Sequence, residues 1–208
     1  GVFLGSAVVS VREMQGRVRV ALREGSQDFD AVIVAVAPQH VPRLLADEAS
    51  TAAVVAALEC VTYEPITTLY FEFSYAAPSP HEGSPMRMLD GEPGQWLFWS
   101  RRIDGSWRAG VVISAHRRTD DETALVDAAL LQLSRSYRLP RPRWQFVITE
   151  KRATYACTPK QTALLSSLPK RVGDIHFAGD WCCPELPATI EAAVIAGERA
   201  ADAVLNGK

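Results

Sequence analysis

The stretch of sequence that decides the fold is HFAGDWCCPELPATIEAAVIAGERAADAVL, residues 176–205. Its pattern predicts a short buried strand over residues 175–178, a turn at Gly179 and Asp180, and a helix over about residues 187–205. Glycine allows a ligand to approach the backbone closely, and a carboxylate accepts hydrogen bonds from sugar hydroxyls. The strand, turn and helix therefore suit a site for a phosphate group or a polyol chain.

The beginning of that helix, from Ala188 to Glu191, is the second part of this candidate site. The first N–H groups of a helix have no partner inside the helix, and the helix dipole places positive charge at this end, which favours negative charge on a ligand. Gly197 and the alanines at 192, 193, 196 and 200 leave little side-chain bulk, so the helix can pack closely on a neighbour. From these physical features alone, a purely structural turn before a capped helix is the commoner origin of such a pattern.

Composition limits the classes of function. The chain has 208 residues, 48% of them hydrophobic and 22% charged, with a net charge of -2, which is typical of a globular chain with one sizeable core or two small ones. The basic residues are not clustered, so we expect no nucleic-acid partner. No apolar run approaches the roughly 20 residues of a membrane span. We expect a cytoplasmic protein, for which peripheral contact with the inner membrane surface remains open.

The cysteines and histidines do not predict a metal site. Cys60, Cys157, Cys182 and Cys183 have no CxxC spacing, and the four histidines are scattered singly. The adjacent pair at 182 and 183 allows a strained vicinal disulfide, but free thiols in a reducing cytosol are the expectation.

Periodicity in the first third of the chain predicts strands followed by short helices. Alternation through Val9 and Val11 and then over residues 18–22, with Gln15-Gly16 between them, predicts a β-hairpin. The run DAVIVAV at residues 30–36 predicts a strand that is buried on both faces. Short helices are predicted over residues 41–45 and 50–58, the second with Ser50 or Thr51 as its N-cap.

The remaining pattern predicts a mixed sheet with flanking helices, of the α/β or α+β class. Strands are predicted over residues 66–73, 95–100, 108–114 and 144–151, loops over 76–85 and 153–159, and a helix over 120–136 with Thr119 or Asp120 as its cap. Side chains alternate across a strand, so Trp96 and Phe98 are expected on one face and Leu97 and Trp99 on the other.

These segments resemble a known family. The Gly-Asp turn and EAAVIAGERAA at 191–201 resemble the C-terminal FAD motif of the flavin-containing amine oxidase and phytoene desaturase superfamily, while VFLGSAVVSV at 2–11 and VIVAVAP at 32–38 resemble two further strands of its FAD-binding domain. The resemblance implies contacts with the pyrophosphate and ribityl region, the isoalloxazine ring and adenine. The implied FAD-binding residues are Gly179, Asp180, Trp181, Ala188, Thr189, Ile190, Glu191, Val8 and Ala35.

Within that superfamily, four stretches resemble the hydroxysqualene dehydroxylases: PITTLYFEF (65–73), PMRMLDGEPGQWLFWS (85–100), EKRATYACTP (150–159) and GDWCCPELPATIEAAV (179–194). The resemblance implies an FAD-dependent oxidoreductase that acts on an apolar polyisoprenoid by reductive dehydroxylation of hydroxysqualene in hopanoid synthesis. A flavin amine oxidase, a carotenoid desaturase and a non-catalytic, partner-binding subunit are the alternatives. The residues at 182–185, Cys-Cys-Pro-Glu, depart from the small polar and Thr-Gly residues usual after Gly-Asp-Trp.

One expected feature of the superfamily is missing from these 208 residues. No G-x-G-x-x-G turn follows a first strand, although that turn opens the family's chains and holds the FAD pyrophosphate. We therefore expect the C-terminal part of an amine-oxidase-type fold, with the N-terminal Rossmann segment supplied in cis or in trans. Residues 1–60 and 151–208 are expected in the FAD-binding domain, and 61–150 in a substrate domain.

Substrate-contacting side chains are less well defined by sequence. The aromatic residues of the middle strands could line an apolar tunnel, although core packing is the commoner role of strand aromatics. Arg152 or Tyr155 could position a departing hydroxyl group, while a surface salt bridge is the commoner role of such an arginine. No catalytic acid is identified. The aromatic set comprises Tyr70, Phe71, Phe73, Trp96, Phe98 and Trp99.

Overall fold

The structure is a computed structural model that describes residues 1–76, 85–116 and 121–207. The strands are β1 (Val8–Met14), β2 (Arg17–Leu22), β3 (Ser26–Phe29), β4 (Val32–Val34), β5 (Tyr63–Phe73), β6 (Met86–Met88), β7 (Trp96–Arg101), β8 (Trp107–Ser114), β9 (Trp144–Tyr155), β10 (Arg171–Val172) and β11 (Ile175–Phe177). The α-helices are α1 (Val41–Leu44), α2 (Ala52–Glu59), α3 (Glu122–Ser134), α4 (Pro159–Ser167) and α5 (Ile190–Asn206).

The chain divides into two compact units. The first unit comprises Gly1–Thr62 and Tyr155–Lys208, and the second comprises Tyr63–Thr154. The chain therefore leaves the first unit once and returns to it. Two separate crossings, at residues 62–63 and 154–155, join the units.

The predicted hairpin at the beginning of the first unit is confirmed. Strands β1 and β2 pair antiparallel, and β3 extends the sheet beside β2. Gln15 and Gly16 both have positive φ, 52° and 80°, which is the geometry of the two-residue turn that matches strand twist. Val11 and Val18 are buried on one side of this sheet.

Strand β4 corrects the prediction of a strand buried on both faces. It covers only Val32–Val34 and pairs parallel with β11, which also pairs antiparallel with β10. Val34 is buried, whereas Ile33 is 38% exposed. Successive side chains of a strand point to opposite faces, so the face of β4 that carries Val34 is covered and the face that carries Ile33 is partly open.

Helix boundaries and one loop also differ from expectation. Thr51 occupies the N-cap position of α2, but its hydroxyl donates to the Glu48 carbonyl and does not cap the helix. Strand β9 continues to Tyr155, three residues into the predicted loop, and α4 was not predicted. The sequence of α4, PKQTALLSS, has only a weak apolar stripe, so its periodicity gave little helix signal.

The second unit is a five-stranded sheet in the order β6-β7-β8-β5-β9, covered on one face by α3. Strands β7 and β8 pair antiparallel. Asp121 caps α3 by accepting a 2.8 Å hydrogen bond from the Ala124 N–H. The predicted cap residues Thr119 and Asp120, and most of the predicted loop over 76–85, lie outside the described residues. The core under α3 comprises Leu69, Phe71, Phe73, Leu97, Trp99, Trp107, Ala109, Val111, Ile113, Val126, Ala129, Leu133 and Tyr137.

Among residues 1–76, 85–116 and 121–207, no helix has both the length and the apolar character needed to cross a bilayer. The same residues contain no group of three or more His, Cys, Asp or Glu side chains arranged to hold a metal ion.

Candidate functional site

The carboxyl ends of the parallel strands β4 and β11 meet in the first unit. Ala178 donates its backbone N–H to the Val34 carbonyl at 3.1 Å. Beyond that point the Trp181 indole Nε1 donates to the Val36 carbonyl at 3.2 Å. Loops that leave the same edge of a parallel sheet lie close together, and this is where α/β sheets bind ligands. The predicted site residues Ala35, Gly179 and Asp180 therefore belong to one edge.

Gly179 is required by the geometry of this turn. Its φ of 131° and ψ of 169° lie in a region that is essentially restricted to glycine. A Cβ atom added there would lie 2.8 Å from Trp181 Nε1 and 3.0 Å from Trp181 Cδ1. Trp181 is 1% exposed, so its ring has no room to move away. Glycine at this position is therefore explained by the turn itself.

Asp180 presents a half-buried carboxyl group beside that turn. Burial raises the pKa of this carboxyl above its ordinary value of 3.8, while backbone N–H groups of Asp180 and Trp181 act in the opposite direction. No positive side chain is among the groups that shift its pKa within the described part of the chain. The carboxylate therefore has no positive side chain to offset its charge among these groups, and it can accept hydrogen bonds from a ligand's hydroxyl groups.

We expect Asp180→Asn to stabilise the isolated chain at neutral pH. A folded-state pKa above the unfolded-state value means that the folded chain loses stability as pH rises through that interval, and asparagine cannot ionise. The advantage should shrink as pH falls toward the ordinary value of 3.8. Urea unfolding of both proteins from neutral to mildly acidic pH measures the difference. A variant less stable than the wild type at neutral pH would show that the ionised carboxylate stabilises the fold.

The start of α5 is open to solvent. The Thr189 Oγ1 atom accepts a 3.1 Å hydrogen bond from the Ala192 N–H, and the same hydroxyl donates to the Leu186 carbonyl at 2.8 Å. Ile190 is 86% exposed, and Glu191 is exposed as well. The N–H groups of the first helical turn therefore point to an accessible end, where a ligand's negative charge is favoured.

Tyr155 holds the loop that precedes α5. Its hydroxyl accepts a 3.0 Å hydrogen bond from the Ala188 N–H, and its side chain is 2% exposed. Ala188 has a φ of 57°, which is strained for a residue other than glycine. Burial raises the pKa of Tyr155 to about 12, so the phenol is neutral at physiological pH. Sequence reasoning missed this contact, because no short-range pattern relates residues 155 and 188.

The thiols near the site are free, as predicted. Burial raises the pKa of Cys182 to about 12, and the Cys183 thiol donates to Glu185 Oε2 at 3.2 Å. Both side chains are buried, and a raised pKa keeps a thiol protonated and unreactive. The Cys-Cys-Pro-Glu segment is therefore a packed structural element.

The predicted cofactor residues are not equally placed for ligand contact. Ala188 donates its N–H to the buried Tyr155 hydroxyl, and Thr189 follows Ala188 in the chain. Asp180 lies close enough to Tyr155 for its charge to raise the pKa of the phenol. The Trp181 side chain is internal, so it contributes packing and the bond to Val36. Val8 lies on β1 in another sheet, where it pairs with Leu22, and is 38% exposed.

Arg152 stacks on an aromatic ring, whereas a surface salt bridge is the commoner role of such an arginine. Its guanidinium carbon lies 5.7 Å from the centre of the Tyr63 ring, which is a cation–π distance. Both residues belong to the second unit.

A broad apolar surface forms the open face of the sheet in the second unit, opposite α3. We call it the aromatic face. Antiparallel partners share a face, and the register joins Met86, Phe98, Gly110 and Tyr70 in one row and Met88, Trp96, Val112 and Thr68 in the next. Phe146 and Ile148 add to this face from β9, because Val147 packs into the core and Thr149 contacts Thr67 on the other side. The predicted alternation of Trp96 and Phe98 against Leu97 and Trp99 is confirmed.

Gly110 allows the aromatic face to be flat at its centre. A Cβ atom there would lie 3.4 Å from Tyr70 Cε1, so the tyrosine ring extends across the glycine. Phe98 is 44% exposed, Phe146 50% and Ile148 48%. Contiguous exposed apolar surface of this kind is typical of binding sites. Phe71, Phe73 and Trp99 are buried in the core, so these three members of the aromatic set pack under α3.

A family model described as "Flavin containing amine oxidoreductase" matches residues 1–205. A hydroxysqualene dehydroxylase of Rhodopseudomonas palustris is 33% identical over 202 residues, covering 89% of this chain and 42% of that relative. A hydroxysqualene dehydroxylase of Zymomonas mobilis subsp. mobilis is 30% identical over 148 residues, covering 69% of this chain and 33% of that relative. The matches fall in the C-terminal part of these relatives, and the chain spans less than half of their length.

Solved structures match the fold at low sequence identity. Cyclohexylamine oxidase from Brevibacterium oxydans superposes with a TM-score of 0.69 at 15% identity, covering 98% of this chain and 49% of that one. Putrescine oxidase bound to putrescine also gives a TM-score of 0.69 at 15% identity, covering 98% and 49%. The fold of the chain is that of one half of such amine oxidases.

Proposed function

Because the chain belongs to the flavin-containing amine oxidoreductase family, we propose that it is the C-terminal part of an FAD-dependent oxidoreductase that converts hydroxysqualene to squalene. The substrate assignment rests on the similarity, over 89% of the chain, to a hydroxysqualene dehydroxylase. The chain spans 42% of that relative, so the complete activity requires the remaining polypeptide, in cis or in trans.

The edge formed by the Gly-Asp turn and the start of α5 supports the FAD assignment. Asp180 offers a half-buried carboxylate that can accept hydrogen bonds from the hydroxyl groups of a ribityl chain. The exposed first turn of α5 offers N–H groups and a positive dipole end to a negatively charged part of the ring system. These residues fit the cofactor chemically, and we assign Gly179, Asp180, Thr189, Ile190 and Glu191 to hold it.

The aromatic face supports an apolar substrate. Tyr70, Trp96, Phe98 and Phe146 present ring surface, and the methionines of β6 add flexible apolar side chains. A branched, unsaturated hydrocarbon gains from burial against such a surface, at about 25 cal/mol per Å² of apolar area removed from water. We propose that the polyisoprenoid chain lies on this face.

The chemistry divides between cofactor and protein. The chemistry that a reduced flavin would supply, when bound, is a hydride to the carbon that loses its hydroxyl group, and the hydroxyl group would leave with a proton as water. The residues of this chain orient the substrate and the cofactor for that transfer. Tyr155 is a positioning residue in this scheme, because it holds Ala188 at the entrance to α5.

The first test is a visible absorption spectrum of the purified chain with excess FAD, followed by removal of unbound cofactor. We expect no retained flavin band from the chain alone and a retained band once the missing polypeptide is joined to it. The absence of a band from the joined protein would contradict the FAD assignment. A band retained by the chain alone would show that the second polypeptide is not needed for cofactor binding.

The reaction itself is tested with the joined protein, reduced flavin and hydroxysqualene. Formation of squalene with loss of the hydroxyl group is expected. Oxidation of an amine or desaturation of a carotenoid, with hydroxysqualene unchanged, would replace the dehydroxylase assignment with one of the sister activities of the family.

A further inference from the structure

A cleft of about 390 Å³ lies in the first unit, between the second half of α5 and the end of the sheet that β10 forms. The residues that α5 contributes to it run from Ala196 to Ala203. Ala203 lies about 20 Å along the helix axis from Ile190, at the rise of 1.5 Å per residue of an α-helix. The cleft is therefore separate from the edge proposed to hold FAD, and no step of the proposed reaction uses it.

The wall of this cleft is positively charged. Three cations and one imidazole line it: Lys170, Arg171, Arg199 and His176. We call it the basic cleft. No Asp or Glu is among the described residues that form its wall. The whole chain has a net charge of -2, so this concentration of positive charge is a local feature. A cleft lined by charge of one sign attracts ligands of the opposite sign.

Two of these cations keep hydrogen-bonding capacity for a ligand. Among the described residues, none forms an ion pair or a hydrogen bond with the Arg171 guanidinium. Lys170 Nζ donates to the Leu165 carbonyl at 3.3 Å, and an ammonium group has two further N–H bonds. Arg199 is partly occupied, because its guanidinium lies 3.4 Å from Glu185 Oε1. We therefore expect Lys170 and Arg171 to supply most of the attraction.

His176 adds a buried imidazole beside Arg171. The two residues are direct partners in the pairing of β10 with β11, so their side chains share one face of the sheet. His176 is 3% exposed, and its ring forms no hydrogen bond within the described part of the chain. Burial, and then the charge of Arg171, lower the pKa of the imidazole, so the ring is neutral at pH 7 and carries one N–H. This N–H is a donor that suits a ligand's oxygen atom, because buried polar groups are normally hydrogen-bonded.

The rest of the basic cleft is apolar. Ala196, Ala200 and Ala203 recur at intervals of four and three residues, so they form one strip along α5. Pro169 and Phe177 complete the apolar part of the wall. A small inorganic anion would leave this surface in contact with water. The wall therefore suits a ligand that joins an anionic group to an apolar chain.

We propose that the basic cleft binds a phosphate monoester that carries an apolar chain. A phosphate group offers three strong acceptor oxygens and nearly two negative charges, which matches the donors of Lys170, Arg171 and His176. A carboxylate offers two oxygens and one charge, so it satisfies fewer of these donors. The apolar chain lies along the alanine strip of α5. The proposal is independent of the flavin and of the dehydroxylation proposed above.

The test is titration calorimetry of the 208-residue chain with octyl phosphate, and in parallel with inorganic phosphate and with 1-octanol, which each reproduce one half of the ligand. We expect octyl phosphate to bind at least about tenfold more tightly than either half, because both parts of the wall are then used. Hydrogen exchange locates the site, and we expect slower exchange over residues 170–177 and 196–203 when octyl phosphate is bound.

Two variants examine the two parts of the wall. Lys170→Gln combined with Arg171→Gln should weaken the binding of octyl phosphate by about tenfold or more. The matched control combines Arg23→Gln with Arg43→Gln, which removes the same charge from exposed positions elsewhere in the first unit and should leave the affinity unchanged.

Ala203→Leu narrows the alanine strip with a residue that favours a helix. It should weaken the binding of octyl phosphate by about tenfold or more and spare inorganic phosphate. Ala56→Leu, at an exposed position on α2, is its control and should bind octyl phosphate as the wild type does.

Four results would overturn the proposal. They are octyl phosphate bound no more tightly than 1-octanol, octyl phosphate bound no more tightly than inorganic phosphate, an equal loss of affinity in both double variants, and slower exchange only outside residues 170–177 and 196–203. Each shows that the cations, the alanine strip or the cleft itself is not what holds the ligand.

Vesicles distinguish two sources of the phosphate monoester. Sedimentation of the chain with phosphatidylcholine vesicles is compared with and without phosphatidic acid. Sedimentation that requires phosphatidic acid and is lost with Lys170→Gln and Arg171→Gln identifies a lipid headgroup as the ligand. Binding of octyl phosphate without sedimentation identifies a ligand that is taken from solution.

Discussion

Gly179→Ala is expected to lower the free energy of unfolding of the chain by about 3 kcal/mol, from backbone strain and overpacking together. A side chain at a φ of 131° is strained by itself. The new Cβ atom would also press on the Trp181 ring at 2.8 Å, and that ring is fixed by its bond to the Val36 carbonyl. Urea unfolding followed by circular dichroism measures the change.

The matched control for this prediction is Gly197→Ala. It makes the same chemical change in a helix, where φ is ordinary and the added methyl group meets open space. We expect it to stabilise the isolated chain by about 0.5–1 kcal/mol, because alanine is the better helix former. If both variants changed stability by similar small amounts, the turn at Gly179 would be able to relax around the added methyl group. Glycine would then not be required at this position.

Gln161→Leu is expected to destabilise the first unit by about 2–4 kcal/mol, because a buried side chain loses three hydrogen bonds to the backbone of Thr62 and Ala156. Gln161 is 6% exposed and connects two distant segments of the chain. Its Oε1 atom accepts from the Thr62 N–H, and its Nε2 donates to the carbonyls of Thr62 and Ala156 at 3.1 and 2.7 Å. Leucine has similar volume and none of these hydrogen bonds.

The same unfolding measurement with Gln27→Leu provides the reference. Gln27 is an exposed glutamine on β3, and surface substitutions of this kind usually change stability by less than about 0.5 kcal/mol. Equal effects of the two substitutions would show that the Gln161 side chain does not join the departing and returning segments of the first unit. A large loss confined to Gln161→Leu supports its role as the connection between residues 62 and 156.

Local sequence patterns predicted the elements whose geometry is decided by neighbours in the chain. Gln15-Gly16 specified the first hairpin because both residues tolerate positive φ. Alternation placed Trp96 and Phe98 on one side of β7 and Leu97 and Trp99 on the other. Periodicity gave a wrong prediction where the apolar pattern was weak, or where the same pattern is typical of both fully and partly buried strands. The polar helix α4 was missed, and the apolar run around β4 was assigned two buried faces although Ile33 is partly exposed.

The candidate site was predictable in part for the same reason. Gly179, Asp180 and the start of α5 lie within a dozen residues of one another, so their order along the chain was informative. The contacts that hold them come from elsewhere. Tyr155 reaches Ala188 across 33 positions, and Trp181 reaches Val36 across 145. Neither pair leaves a short-range pattern in the sequence.

The sequence alone therefore determined the family resemblance, the Gly-Asp turn and the alternation of the strands, because these depend on the conformational preferences of adjacent residues. The tertiary structure alone decided which apolar residues are covered. It buried Phe71 and Trp99 under α3 and left Phe98 on the aromatic face. It likewise left open space around Gly197 of α5, where an added Cβ atom would meet nothing within 4 Å. Burial depends on residues distant in the chain, which a local sequence pattern does not record.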